Sequence, residues 1–141
     1  MPYREKIAWL SLGAMALTFG PYFVLVATGI LPSRPMPDLP QLGLYGLTAL
    51  LSVVPLIAGR LYLRSGAPEE ARIRPDERDR AIEHRSIRFA YYVLIGGMIL
   101  VGCVMPFQSS GWEIIHAALF MMVGAEVVHQ SVVVFSYRRQ A

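Results

Sequence analysis

The apolar positions of this chain fall into four runs, separated by polar stretches of different character. Residues 7–31, 42–59, 89–107 and 112–135 carry almost only hydrophobic side chains. At about 1.5 Å per helical residue, each can cross a hydrocarbon core of roughly 30 Å. The second run is the shortest and gains length by taking in Leu61 and Tyr62 beyond Arg60. The pattern predicts an all-α protein: an integral membrane four-helix bundle forming one domain over 1–141, with spans at about 7–31, 42–62, 89–107 and 112–135. A charged cytoplasmic segment, 65–88, lies between the second and third spans. The 55% hydrophobic content agrees, being too high for an ordinary soluble domain.

Arg4 and Lys6 ahead of the first run also fit a secretory signal. Its apolar part is about twice the length of a signal's, Pro21 interrupts it and no small-x-small cleavage site follows, so a retained helix is expected. Charge then sets orientation. All thirteen Lys and Arg residues except Arg34 lie before the first span, between the second and third, or after the fourth. Short basic loops stay in the cytoplasm, so both termini and the central segment are expected there. The net charge of +3 is thus a topology signal, and no nucleic-acid partner is expected. Cys103, the single cysteine, sits inside the third span, which excludes an internal disulfide or a cysteine metal site.

Tyr3 and Trp9 are placed for headgroup level. Gly13, Gly20 and Ala27 recur every seven residues on the first helix, as do Ala117, Gly124 and Ser131 on the fourth. Such stripes let helices approach closely, so these two helices are expected to pack together, or one stripe to form a homodimer contact. Gly20-Pro21 should kink the first helix. The connection from Leu31 to Gln41 holds four prolines within nine positions and favours an extended path. Arg60 and Arg64 share a face at the end of the second helix, where arginines snorkel to headgroups.

Residues 65–75 read as a polar linker. Asp76 can cap a helix that runs without glycine or proline through Tyr91 into the third span. On it Arg78, Arg85 and Arg88 fall within an arc of about 80 degrees, with Asp76, Asp79 and Glu83 opposite. The basic face suits anionic headgroups, at about 1 kcal/mol per residue, and the acidic face suits the cytoplasm or a protein partner. The alternative is a solvated helix braced by pairs such as Asp76 with Arg80. Gly96, Gly97 and Gly102 offer close-packing positions in the third span, and Pro106 ends it before a turn at 108–111.

The fourth helix carries the intramembrane polar cluster. Glu126, His129 and Gln130 lie within about 100 degrees, Glu126 near mid-membrane, with Arg60 as a further candidate member. A carboxylate at that depth must be neutral, paired or facing a wet cavity. It serves either proton coupling or inter-helix hydrogen bonding. Glu113-x-x-His116 and Glu126-x-x-His129 each have the ligand spacing of di-iron bundles, but they stand about 20 Å apart on one helix and the other spans offer no matching ligands. Neither a metal nor another cofactor is expected, and no catalytic set is present.

The segment Asp76-Glu77-Arg78-Asp79-Arg80-x-Ile82, with the opening Tyr3-Arg4-Glu5-Lys6-x-Ala8-Trp9 and with Gly20-Pro21-Tyr22-Phe23, resembles an uncharacterised family of small four-helix bacterial inner-membrane proteins. These carry an Asp-Glu-Arg signature before the third span, and their genes often neighbour helix-turn-helix regulators. The resemblance implies a multi-pass inner-membrane protein with a regulatory or stress-related role, and brings no catalytic residue. The function expected is therefore a non-enzymatic accessory or regulatory membrane protein that engages a cytoplasmic or membrane protein through 76–88. Membrane lipids are the other partners. The alternative is a small proton-coupled transporter using Glu126.

Overall fold

The structure, a computed structural model, describes residues 3–30, 38–66, 68–72 and 74–139. Arg34 and most of the proline-rich connection lie outside the described residues. Every element is helical: α1 Tyr3–Ala27, α2 Leu39–Gly66, α3 Pro68–Arg72, α4 Glu77–Ile99 and α5 Gly111–Arg139, with a π-helical turn Leu100–Val104 and a 3-10 turn Met105–Phe107 between α4 and α5. Among the described residues, four stretches are long and apolar enough to cross a membrane: α1, α2, Glu77–Phe107 and α5.

The helix boundaries follow from local chemistry. α1 runs through Pro21 and stops where Gly29 takes a left-handed φ of 67°, a conformation glycine adopts without a Cβ penalty. α2 begins earlier than its apolar run. Leu39, Pro40 and Gln41 form its first turn rather than the end of an extended connection, because Asp38 accepts the Gln41 N–H (3.5 Å) and Leu42 N–H bonds to the Asp38 carbonyl (3.1 Å). Proline is tolerated there because first-turn N–H groups have no intrahelical partner. The linker expected at 65–75 contains the short α3, with Pro68 at its first position. Asp76 caps α4, its carboxylate accepting the Asp79 N–H at 2.7 Å.

The far end of α4 widens before it closes. Pro106 has no N–H to return to the preceding turn and its ring crowds that turn. The Met105 N–H instead reaches back five residues to the Leu100 carbonyl, the π-type spacing. α5 then starts at a capping arrangement in Ser110-Gly111-Trp112-Glu113, where the Glu113 carboxylate accepts the Ser110 N–H at 2.6 Å.

The helices alternate in direction. α5 packs along both α4 and α1, and α1 also along α2. No comparable contact joins α2 to α4, so the bundle is open between them. The order across it is α2, α1, α5, α4. Two glycines mark the closest approaches. A Cβ on Gly59 would stand 2.5 Å from Leu10 Cδ1, and one on Gly97 would stand 2.5 Å from Met121 Sδ.

The seven-residue stripes are not these contacts. Gly13, Gly20 and Gly124 have no neighbouring atom within 4 Å of a Cβ position, nor have Gly96 and Gly102. α1 instead buries Glu5, Ala8, Ser11, Ala14 and Tyr22, a row on the opposite side of the helix from Gly13 and Gly20 at 100 degrees per residue. Small Ala and Ser side chains along that row let α1 lie close to its neighbours.

Candidate functional site

Two polar nodes tie the helices together, one at each end. The first joins the start of α1, the start of α4 and the end of α5. The Arg4 guanidinium lies 3.4 Å from Asp79 Oδ2 and 3.7 Å from Glu83 Oε2. The Tyr137 hydroxyl donates to the other Asp79 oxygen. One turn along, the Arg138 Nε–H donates to Glu5 Oε1 at 3.4 Å, and its guanidinium lies 5.2 Å from the centroid of the Trp9 ring. Glu5 is only 6% exposed, and a carboxylate so buried requires a cationic partner. Each pair of these three helices is thereby bonded across, closing a clasp.

The clasp decides which residues of the charged segment remain free to act. Asp76 is committed to capping, and Asp79 and Glu83 are turned onto Arg4 rather than braced by Arg80. Asp79, Ile82 and Ser86 form the packed side of α4, with Ile82 and Ser86 buried. The exposed side carries Glu77, Arg80, His84 and Arg88, which share an arc of about 80 degrees. Arg78 is exposed and engaged in an interaction, while Arg85 is exposed with its guanidinium 5.8 Å from the Phe89 ring centroid.

The second node is centred on His116 of α5. The Gln41 amide nitrogen lies 2.9 Å from His116 Nε2, and the Tyr22 hydroxyl lies 3.0 Å from His116 Nδ1. With the amide donating to Nε2, the ring proton sits on Nδ1 and is donated to the Tyr22 oxygen. Trp112 stacks on the imidazole with centroids 6.0 Å apart. One histidine thus bonds α1, α2 and α5. The Glu113-x-x-His116 spacing has this meaning here: Glu113 caps the helix and His116 joins it to two others. Among the described residues, Gln41 Oε1 and Trp112 Nε1 are buried beside it without hydrogen-bond partners.

The expected intramembrane cluster is only partly assembled. Glu126 is exposed and accepts a hydrogen bond from Gln130 Nε2 at 2.7 Å. His129 shares with Glu126 and Glu83 a groove of about 450 Å³ between α4 and α5. Arg60 does not join them. It is exposed near the end of α2 far from the Gln41–His116 contact, on a helix that packs mainly along α1. Among the described residues, no group of three or more His, Cys, Asp or Glu side chains converges to hold a metal ion.

Sequence reasoning missed both nodes. For the His116 node the available signal was depth: Tyr22, Gln41 and His116 each stand within about two turns of the helix end that faces the same side. For the clasp, the signal was charge complementarity between the basic opening of the chain and the acidic opening of α4. Across the clasp, Arg4 of the opening segment meets Asp79 of the charged start of α4.

Compared with protein-family models, with curated proteins and with solved structures, the chain matches none. Fold and geometry define the class: an all-helical protein with four helices long and apolar enough to span a membrane, bonded by a polar node at each end.

Proposed function

We propose that this is a non-enzymatic multi-pass protein of the bacterial inner membrane. In this reading the clasp end faces the cytoplasm, and the charged half of α4 docks a partner protein in an accessory or regulatory role. The observation that supports it most is the clasp itself. It holds residues 77–88 rigid against α1 and α5 while Glu77, Arg80, His84 and Arg88 stay exposed on the side facing away. A surface held in one conformation before binding loses less entropy when a partner docks. The clustering of Lys and Arg at this end supports the orientation, and the resemblance supports the cellular setting.

The test is purification of the full chain in mild detergent, with co-purifying proteins identified by mass spectrometry. A stoichiometric partner is expected, lost in Arg80→Glu/Arg88→Glu and retained in Arg64→Glu. Absence of a partner, or equal retention in both variants, would refute docking through this face.

One observation favours a second reading, proton-coupled transport. Glu83, His129 and Glu126 line one groove leading from the clasp end toward the middle of α5, and titratable groups at membrane depth are the elements of proton relays. Reconstituted vesicles would then show proton-linked flux that Glu126→Gln abolishes without unfolding the chain.

A further inference from the structure

One groove at the clasp end is built from all three clasped helices. Trp9 and Leu12 of α1, Arg85 and Phe89 of α4, and Phe135 and Arg139 of α5 border a volume of about 630 Å³. Among the described residues, no carboxylate lines it. Arg138 also contributes, but its guanidinium is engaged by Glu5 and Trp9. The Arg85 guanidinium lies 5.8 Å from the Phe89 ring centroid, and Arg139 is exposed. Among the described residues neither guanidinium is paired with a carboxylate.

The lining is graded along the helix axes. The arginines of α5 stand in its last turn, while Phe135 and Val132 lie about one and two turns deeper. On α4, Arg85 precedes Phe89 by one turn, and on α1 Trp9 precedes Leu12. Each wall therefore runs from charged or amphipathic at the chain-end side to apolar toward the bundle centre. Phe135, at the floor, is 65% exposed among the described residues.

We infer that this groove is a discrete site for one anionic phospholipid. Its phosphate sits with Arg85 and Arg139, and its acyl chain runs inward over Leu12, Val132 and Phe135. Three features fit that occupant. The charge of the lining is all of one sign, guanidinium groups present planar donors suited to phosphate oxygens, and the polar-to-apolar order matches the order of a lipid from headgroup to chain. A water-soluble phosphate would leave Phe135 and Val132 uncovered. The site is separate from the docking face Glu77, Arg80, His84 and Arg88, so a lipid and a protein can be held at once. It rests on the membrane placement proposed above and not on partner docking.

The test uses the full chain in mild detergent, supplied with equal amounts of phosphatidylglycerol and phosphatidylcholine of the same acyl composition, and native mass spectrometry of the lipids retained. One phosphatidylglycerol per chain is expected to persist preferentially. In Arg85→Gln/Arg139→Gln the preference should fall by about tenfold or more, as the loss of two basic contacts to an anionic headgroup predicts. In Arg60→Gln/Arg64→Gln, which removes the same charge from the same end of α2, it should change by less than about twofold. Equal losses in the two variants, or no preference in the parent chain, would overturn the site in favour of diffuse electrostatics. Displacement of the lipid by millimolar inorganic phosphate would overturn it in favour of a soluble anion. Alkaline carbonate extraction of native membranes separates the two readings. A chain released by carbonate overturns the membrane placement and this site together, whereas one retained in the membrane without lipid preference overturns this site alone.

Discussion

Asp79 is the residue through which the clasp can be taken apart one bond at a time. Its carboxylate accepts the Tyr137 hydroxyl on one oxygen and faces Arg4 with the other, while its backbone N–H goes to Asp76. Tyr137→Phe removes one hydrogen bond to a charged acceptor and leaves the 6%-exposed ring in place, so the expected loss is about 1.5 kcal/mol, the low end for such bonds because Asp79 is not fully buried. Arg4→Gln removes two ion pairs at 3.4 and 3.7 Å whose side chains are 22 to 55% exposed. Exposed pairs contribute about 0.2–1 kcal/mol each, so the loss should be near 1 kcal/mol. Because both changes act on one carboxylate, the double variant should depart from the sum by about 0.5 kcal/mol or more. The assay is equilibrium unfolding of the purified chain, read by the fluorescence of Trp9, which lies against Arg138. Raising salt to about 1 M, where the screening length is roughly 3 Å, should shrink the Arg4 effect and leave the Tyr137 effect. Two strictly additive losses, each under about 0.3 kcal/mol, would refute the clasp as a stabilising unit.

Other substitutions test the remaining contacts. Gly97→Leu drives a side chain into Met121, whose Sδ, Cγ and Cβ stand 2.5 to 3.0 Å from the Cβ position. It should cost about 1–3 kcal/mol and be partly rescued by Met121→Ala. Gly124→Ala, with no atom within 4 Å, should be neutral or slightly stabilising through helix propensity. Thermal unfolding measures both. His116→Leu strands Tyr22 and Gln41 together and should cost about 1–3 kcal/mol, more than Tyr22→Phe, by the same measurement; the reverse order would refute His116 as the centre of its node.

The elements were legible and their faces were not. Four apolar runs announce four helices because few other structures satisfy twenty consecutive apolar residues, and Asp76 followed by Asp79 announces a helix start through its capping chemistry. Which side of each helix meets which neighbour is another matter. With apolar side chains nearly all round, periodicity does not select a packed face, and Gly13 and Gly20 mark the outside of α1 while Ala8, Ser11 and Ala14 mark the inside. α1 does pack against α5, as the small-residue stripes suggested, but not through Gly20 and Gly124; the tight approaches are Gly59 on Leu10 and Gly97 on Met121. Arg60 is near Glu126 only if α2 lies beside α5, and the packing order is a property of the assembled chain. The polar nodes each need three helices in place before their residues meet.

The open side between α2 and α4 bears on how the protein is made. α1 and α2 can pair as soon as both have left the ribosome, but α4 meets no extended partner until α5 follows it. The chain therefore passes through a stage in which α4, with its charged half, is tethered to the first pair yet undocked. α5 is the keystone. A chain interrupted within the turn at 108–110 would keep three of its apolar helices and lose the partner of two, presenting quality-control proteases with an α4 held to α1 only through Arg4 at one end.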